Sequence, residues 1–219
     1  MARALLTILA SYVIGGVPVA YLTGRLLRGV DIRERGSGNA GASNVWQSVS
    51  KAAVVPVGLA EIGQGLLGPA FAIASGQGRT VQSLAGLAAI AGHNWSPFLR
   101  FTGGRGVAHG IGFMLAVSRP ALAAFIVISL TGVRLRAIPQ FVGLGVAAAP
   151  FAAKIAGQPA AISGGMAGMA AIIFAKRLLA NGPPPAAPGE RNRALLNRLL
   201  YDRDTAERED WVRQALGDE

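Results

Sequence analysis

Long apolar stretches broken by few charges dominate this chain and constrain its fold more than any other feature. Seven can be marked, at about residues 4–27, 51–75, 80–98, 104–118, 120–133, 138–156 and 159–180. About 20 apolar residues cross a bilayer as a helix. Residues 1–182 hold only three acids (Asp31, Glu34 and Glu61) against fifteen Lys or Arg, too little polar surface for a soluble body of this size. The expectation is an all-α fold, a polytopic membrane bundle of about seven transmembrane helices. The segments at 104–118 and 120–133 are short, so five or six spans with a partly re-entrant element is the alternative. Residues 4–24 contain Gly15, Gly16 and Pro18 and lack a clear cleavage site, so they read as a first span rather than a cleavable signal.

Charge placement gives an expected orientation. One set of connections carries Arg25, Arg28, Arg33, Arg35, Lys51, Arg100, Arg105, Arg134, Arg136, Lys176 and Arg177; the alternate set carries only Arg3, Arg79, Arg119 and Lys154. Positive loops stay inside, which puts the N-terminus outside and the C-terminus in the cytoplasm. The charges sit singly between apolar spans, not in a stripe with aromatics, so nucleic acid is not the expected partner. The lipid bilayer and anionic substrates are. The chain has no cysteine, which excludes disulfides, thiolate metal sites and a Cys nucleophile. No metal-ligand cluster is visible, and neither a metal nor a cofactor is expected.

Proline-rich residues 182–188 end the membrane part, because proline cannot continue a helix. The chain thus divides into a membrane domain, residues 1–182, and a cytoplasmic tail, residues 183–219. Leu195, Leu196, Leu199 and Leu200 predict one tail helix. Asp204 with Glu207 predicts the capped start of a second, with Trp211, Val212 and Leu216 on one side. A small helical hairpin packed on itself or on the membrane domain is expected, a partner-binding element being the alternative. Gly164 and Gly168, one turn apart in the last span, predict close helix packing.

Two polar clusters carry the chemistry. The first, residues 31–45, holds Asp31, Arg33, Gly36, Ser37, Gly38, Asn39, Gly41 and Asn44. Glycines let main-chain N–H groups approach a ligand and form an anion-binding concavity. Gly36, Gly38 and Gly41 also match a dinucleotide fingerprint, but a membrane span precedes them where a strand is required. The second cluster runs from Gly92 to Gly110 and contains both histidines, His93 and His109. Gly103, Gly104 and Gly106 surround Arg105, so a guanidinium that binds phosphate oxygens bidentately sits against a close backbone. If a helix starts near Arg105, His109 lies one turn along the same face.

These clusters resemble the PlsY family of acyl-phosphate:glycerol-3-phosphate acyltransferases over about residues 4–180. The first family motif appears as Asp31, Arg33, Gly36, Ser37, Gly38, Asn39, Gly41, Asn44 and Val45, and the second as Gly92, His93, Trp95, Phe98, Phe101, Gly103, Gly104, Gly106, Val107 and Ala108. The resemblance implies a seven-helix enzyme of the bacterial inner membrane with a cytoplasm-facing site. It implies acyl phosphate and glycerol 3-phosphate as substrates and lysophosphatidic acid as product. Neither His93 nor His109 is followed by Asp at the fifth position, so the acyl-CoA type of His-Asp motif is absent.

On this resemblance the expected catalytic residues are Ser37, Arg105 and His109. The expected substrate-binding residues are Gly36, Gly38, Asn39, Gly41, Asn44, His93, Gly103, Gly104 and Gly106. Backbone and side-chain donors of Ser37, Gly38 and Asn39 would meet phosphate, and Arg105 would neutralise it. Departures are concentrated at cations and proton carriers. Gln47 stands for an Arg, Thr102 and Gln64 for Lys, Arg105 for a second Lys, Glu61 for Asp, and His109 for Thr. Ala171 and Phe174 stand where the third motif has His and Asn. Competing readings are a relative that keeps the fold without the reaction, and a lipid- or phosphate-ester-binding or transporting membrane protein.

Overall fold

A computed structural model of the chain describes residues 1–206, and among them the only strand-like pairing is an isolated bridge between Ser96 and Thr102. The expected first span is two helices, α1 (Ala2–Gly16) and α2 (Val19–Arg28). Pro18 lacks an N–H, so the helical ladder breaks there. The freed carbonyls of Ile14 and Val17 accept hydrogen bonds from Gln64 Nε2 at 2.7 and 3.0 Å. Ser96 Oγ donates to Gly16 O at 2.6 Å, tying the second polar cluster to the same break.

A short helix, α3 (Ala42–Ser48), follows the first polar loop. Six longer helices come next: α4 (Val54–Ala74), α5 (Arg79–Asn94), α6 (Val107–Val117), α7 (Arg119–Arg134), α8 (Ile138–Ile155) and α9 (Ala160–Leu179). Among the described residues four stretches are long and apolar enough to cross a membrane: Ala2–Arg28, α4, α8 and α9. The chain runs back and forth between two ends. Gln77 to Thr7 and Ser118 to Gln158 are bonded toward one end; Arg33 to Thr102 and Arg177 to Pro139 are bonded toward the other.

The shortest of these helices explains how the site is placed. The 11 residues of α6 reach about 16 Å, roughly half the hydrocarbon thickness. Gly65, midway along the 21-residue α4, has no room for a Cβ against the main chain of His109. The first turn of α6 therefore sits at the middle of α4, and the loop before it lies beside the end of α9, where Arg105 meets Asn181.

The main core joins α6 to α9 through Phe113, Met114, Val146, Ile162, Met166, Met169 and Ile173. A smaller core under the first polar loop gathers Ala20, Ile32, Val45, Val49 and Val57. Leu5, Leu9, Leu59, Phe71, Leu130 and Phe151 face outward, as lipid-contacting helices require. Close packing of α9 uses Gly165 against Ser83 and Gly168 against Leu87, whereas nothing approaches Gly164.

The tail helix is α10 (Pro188–Tyr201). Its leucines do not form the buried stripe: Leu196 is 55% exposed and Leu200 41%, while Ala194 and Arg198 are buried. Arg198 wins the inward position because α9 ends in unpaired carbonyls that a guanidinium can satisfy. Its Nη1 donates to Leu178 O at 2.7 Å and Gly182 O at 2.9 Å. The second tail helix expected from Asp204 onward falls largely outside the described residues.

Candidate active site

The first polar loop is a self-braced structure. Asp31 caps a short turn, Ile32–Glu34, by accepting from the Arg33 N–H at 3.0 Å. The Arg33 side chain returns to the same carboxylate through Nε at 3.0 Å and Nη2 at 2.7 Å. That guanidinium holds the Asp31 carboxyl below the usual carboxylate range. Arg33 Nη1 then donates to Thr102 Oγ1 at 3.0 Å, which ties the two polar clusters together.

Asn44, fully buried, organises the rest. Its Nδ2 donates to Ile32 O at 2.6 Å and Arg35 O at 3.0 Å, and its Oδ1 accepts from Ser48 Oγ at 2.9 Å and Ser37 N at 3.3 Å. Gly36 has φ 55°, and a Cβ there would run into the Asn44 amide. Gly38 N donates to Arg35 O at 3.0 Å. The N–H groups of Ser37 and Gly38, expected to meet phosphate, are thus engaged within the loop. Ser37 lines one of the clefts described below, and its Oγ is buried without a hydrogen-bond partner among the described residues. Asn39, Gly41 and Asn44 line neither cleft described below and act on the loop's shape.

The second cluster turns sharply before α6. Arg100 and Phe101 adopt φ 54° and 59°, and Gly104 N donates to His93 O at 3.2 Å. A Cβ at Gly103 would meet the His93 carbonyl, and one at Gly104 the His93 ring. Gly106, at φ 79°, starts α6. Arg105 therefore lies outside the helix, and the shared face expected for Arg105 and His109 does not form. His109 is fully buried, its ring 4.2 Å from that of His93, and it lines neither cleft. His93 is likewise internal, wedged between His109 and Gly104.

Two adjoining clefts share Arg33, Glu34, Gly38, Arg105 and Ala180. One of about 250 Å³ is walled by Arg35, Gly36, Ser37 and Asn181 as well. The other, about 460 Å³, adds Asp31, Trp95, Phe101, Thr102, Gly103, Lys176 and Leu179. Arg105 is only 7% exposed; its Nε donates to Asp202 Oδ1 at 2.6 Å and its Nη2 to Asn181 Oδ1 at 2.9 Å.

Lys176 is the residue sequence reasoning missed. It is buried, donates to Asn94 O and lies 5.3 Å above the Trp95 ring. Its only sequence signal was a basic pair in the last turn of α9, which a flanking-charge reading absorbs. The third-motif positions face elsewhere: Ala171 is exposed, and Phe174 packs on the core with the Arg177 guanidinium 5.8 Å over its ring. Glu61 is buried under α3, its Oε2 accepting from Ala42 N at 3.4 Å, and it lines neither cleft.

A buried hydroxyl, a guanidinium and an ammonium around adjoining clefts with an apolar lip suit a phosphate ester beside an acyl chain. The sequence profile described as glycerol-3-phosphate acyltransferase matches residues 5–180. The chain belongs to this family. Glycerol-3-phosphate acyltransferase 5 of Dehalococcoides mccartyi is 36% identical over 211 residues, covering 93% of this chain and 90% of that protein. Glycerol-3-phosphate acyltransferase 2 of Moorella thermoacetica is 46% identical over 121 residues, covering 54% and 60%. The crystal structure of PlsY (YgiH), an integral membrane glycerol 3-phosphate acyltransferase, in its glycerol 3-phosphate form superposes with TM-score 0.76 at 28% identity. That match covers 93% of this chain and 94% of that one. Its lysophosphatidic acid form gives 0.74 at 26% identity, covering 90% and 93%. As a member of the acyltransferase family, the chain is a multi-pass membrane protein.

Proposed function

We propose that this chain transfers a fatty acyl group from acyl phosphate to the 1-hydroxyl of glycerol 3-phosphate, giving lysophosphatidic acid and inorganic phosphate. The observation that carries the reading is the unpartnered Ser37 hydroxyl on the same cleft wall system as Arg105, recessed into a bundle with an apolar lip. The smaller cleft takes the phosphate of glycerol 3-phosphate, held by Ser37 Oγ and the free side of Arg105. The larger cleft takes the acyl phosphate, with Lys176 facing its phosphate and the acyl chain leaving past Phe101 and Leu179.

Acyl phosphate is an activated mixed anhydride, so the protein needs no covalent nucleophile. The 1-hydroxyl oxygen attacks the acyl carbon, the bond from that carbon to the phosphate oxygen breaks, and the hydroxyl proton passes to the departing phosphate. Holding two anions side by side and stabilising the oxyanion is the main task. Arg105 between the clefts and Lys176 beside it supply that charge. Gly36, Gly38, Asn39, Gly41 and Asn44 shape the loop, and His93 with Gly103, Gly104 and Gly106 sets the path of Arg105. His109 serves as the buried support of His93.

The end that carries the clefts also carries most of the Lys and Arg, so it faces the cytoplasm and the N-terminus lies outside. Residues 1–182 form the acyltransferase unit and residues 183–219 a cytoplasmic tail. The test is product formation by purified protein from palmitoyl phosphate and glycerol 3-phosphate, with palmitoyl-CoA as the alternative donor. Lysophosphatidic acid from acyl phosphate alone, falling about 100-fold or more in Arg105→Ala, is the expected result. Equal use of palmitoyl-CoA, or an active Arg105→Ala variant with unchanged kinetics, would sink it.

A further inference from the structure

The family match ends at residue 180, and what holds Arg105 lies just beyond it. Nε and Nη2 of an arginine form one edge of its planar fork; Nη1 and the outer N–H of Nη2 form the other. Asp202 and Asn181 occupy the first edge of Arg105, at 2.6 and 2.9 Å. Nη1 takes part in no hydrogen bond among the described residues, and Arg105 lines both clefts.

The two tail groups are themselves fixed. Asn181 Nδ2 donates to Asp204 Oδ1 at 3.0 Å, and Arg198 Nε and Nη2 donate to the same carboxylate at 2.6 and 2.9 Å. Burial pushes the Asp204 carboxyl up, but the Arg198 and Asn181 bonds outweigh it and hold it below the usual range. Arg198 is moored to the end of α9, and Arg177 Nη1 donates back to Leu199 O at 2.7 Å. Asp202 ends α10 with φ 59°, a left-handed turn that Asp tolerates better than most residues. That turn sends its carboxylate to Arg105 while the chain doubles back to bring Asp204 under Arg198.

We infer that Asp202 and Asn181 are positioning residues, which hold Arg105 by one edge so that the other edge meets the phosphate of glycerol 3-phosphate. The tail thereby becomes a structural part of the anion site. This rests on the functional reading above. A loose arginine samples many rotamers, and ordering it on binding weakens affinity. The polar groups that the third motif lacks at Ala171 and Phe174 are offset here by Asn181 and Asp202, which reach the cleft region from a different segment.

The experiment is calorimetric binding of glycerol 3-phosphate to the full chain in detergent, with turnover measured alongside. It compares wild type, Asp202→Ala, Asp202→Glu, Arg105→Ala and the double variant. Asp202→Ala is expected to weaken binding about tenfold and raise KM for glycerol 3-phosphate equally, with kcat largely kept and partial rescue by Asp202→Glu. In the Arg105→Ala background the Asp202→Ala change should add nothing, since its whole effect runs through the guanidinium. Unchanged or tighter binding in Asp202→Ala would overturn the inference, the latter because Asp202 would then be a competitor for Arg105. Additive losses in the double variant would overturn it as well. Wild-type protein that binds glycerol 3-phosphate with this pattern but makes no product would sink the transfer reading and leave the positioning role standing.

Discussion

The glycine loop and the cationic wall face each other across the same clefts, but they are held in different ways. The loop is braced from within residues 31–48: Asp31 clasps Arg33, and Asn44 bonds Ile32, Arg35, Ser37 and Ser48. The cationic wall is assembled from three separate segments, the turn before α6, the end of α9 with the linker that follows it, and the end of α10. A locally braced element tolerates little change, because each residue has several partners close by. A wall gathered from separate segments can trade one donor for another, which is how Lys176, Asn181 and Asp202 stand near the site while Ala171 and Phe174 do not.

The largest effect that would sharpen this contrast is expected from Gly36→Ala. Its Cβ meets the Asn44 amide at a positive φ, so the loop must shift. A displacement of about 1 Å near the reacting groups costs on the order of 100-fold in kcat/KM. Steady-state kinetics on protein that still elutes as a folded species checks it, and near wild-type rates would break the claim that the loop is rigid.

Lys176→Met should act on the other wall and more mildly. Loss of one ammonium facing a phosphate is expected to raise KM for palmitoyl phosphate about tenfold and leave KM for glycerol 3-phosphate within about twofold. Equal rises for both substrates would merge the two clefts into one site.

Acidification separates the walls by another route. The folded Asp31 carboxyl is held below its unfolded value of about 3.9, so its contribution is present in full above that value. It is lost as pH falls through the lower, folded value. Asp204 behaves the same way. The stability that Asp31→Asn or Asp204→Asn removes, read as the difference from wild type in thermal melts, should therefore be constant from pH 7 to about pH 4 and shrink below it. A difference that already shrinks near pH 6 would contradict the assignment. The smallest change is expected for Gly41→Ala, within about twofold of wild type. Its φ is −137°, and the nearest atom to a new Cβ is Asn39 Nδ2 at an ordinary 3.5 Å.

The same contrast explains what could be read from the residues alone. Long apolar stretches marked out the membrane part, and the glycine spacing marked the two polar turns, because both are local properties. Which N–H groups of the loop remain free was not legible, since it depends on Asn44 folding back over seven residues onto Ser37. The place of His109 followed from Gly106 turning the chain before α6, a left-handed step that spacing does not announce. Lys176, Asn181 and Asp202 meet Arg105 or its clefts only after α9 and α10 have docked. The break at Pro18 and its repair by Gln64 likewise join residues almost fifty positions apart.

The most direct test of the two-wall account is a structure of this chain with glycerol 3-phosphate bound. The account predicts the phosphate between Ser37 Oγ and Arg105 Nη1, with Nε of Arg105 still on Asp202 and Lys176 left free for a second anion. A phosphate seated on the main-chain N–H groups of the loop alone, or at the buried His93 and His109 pair, would contradict it.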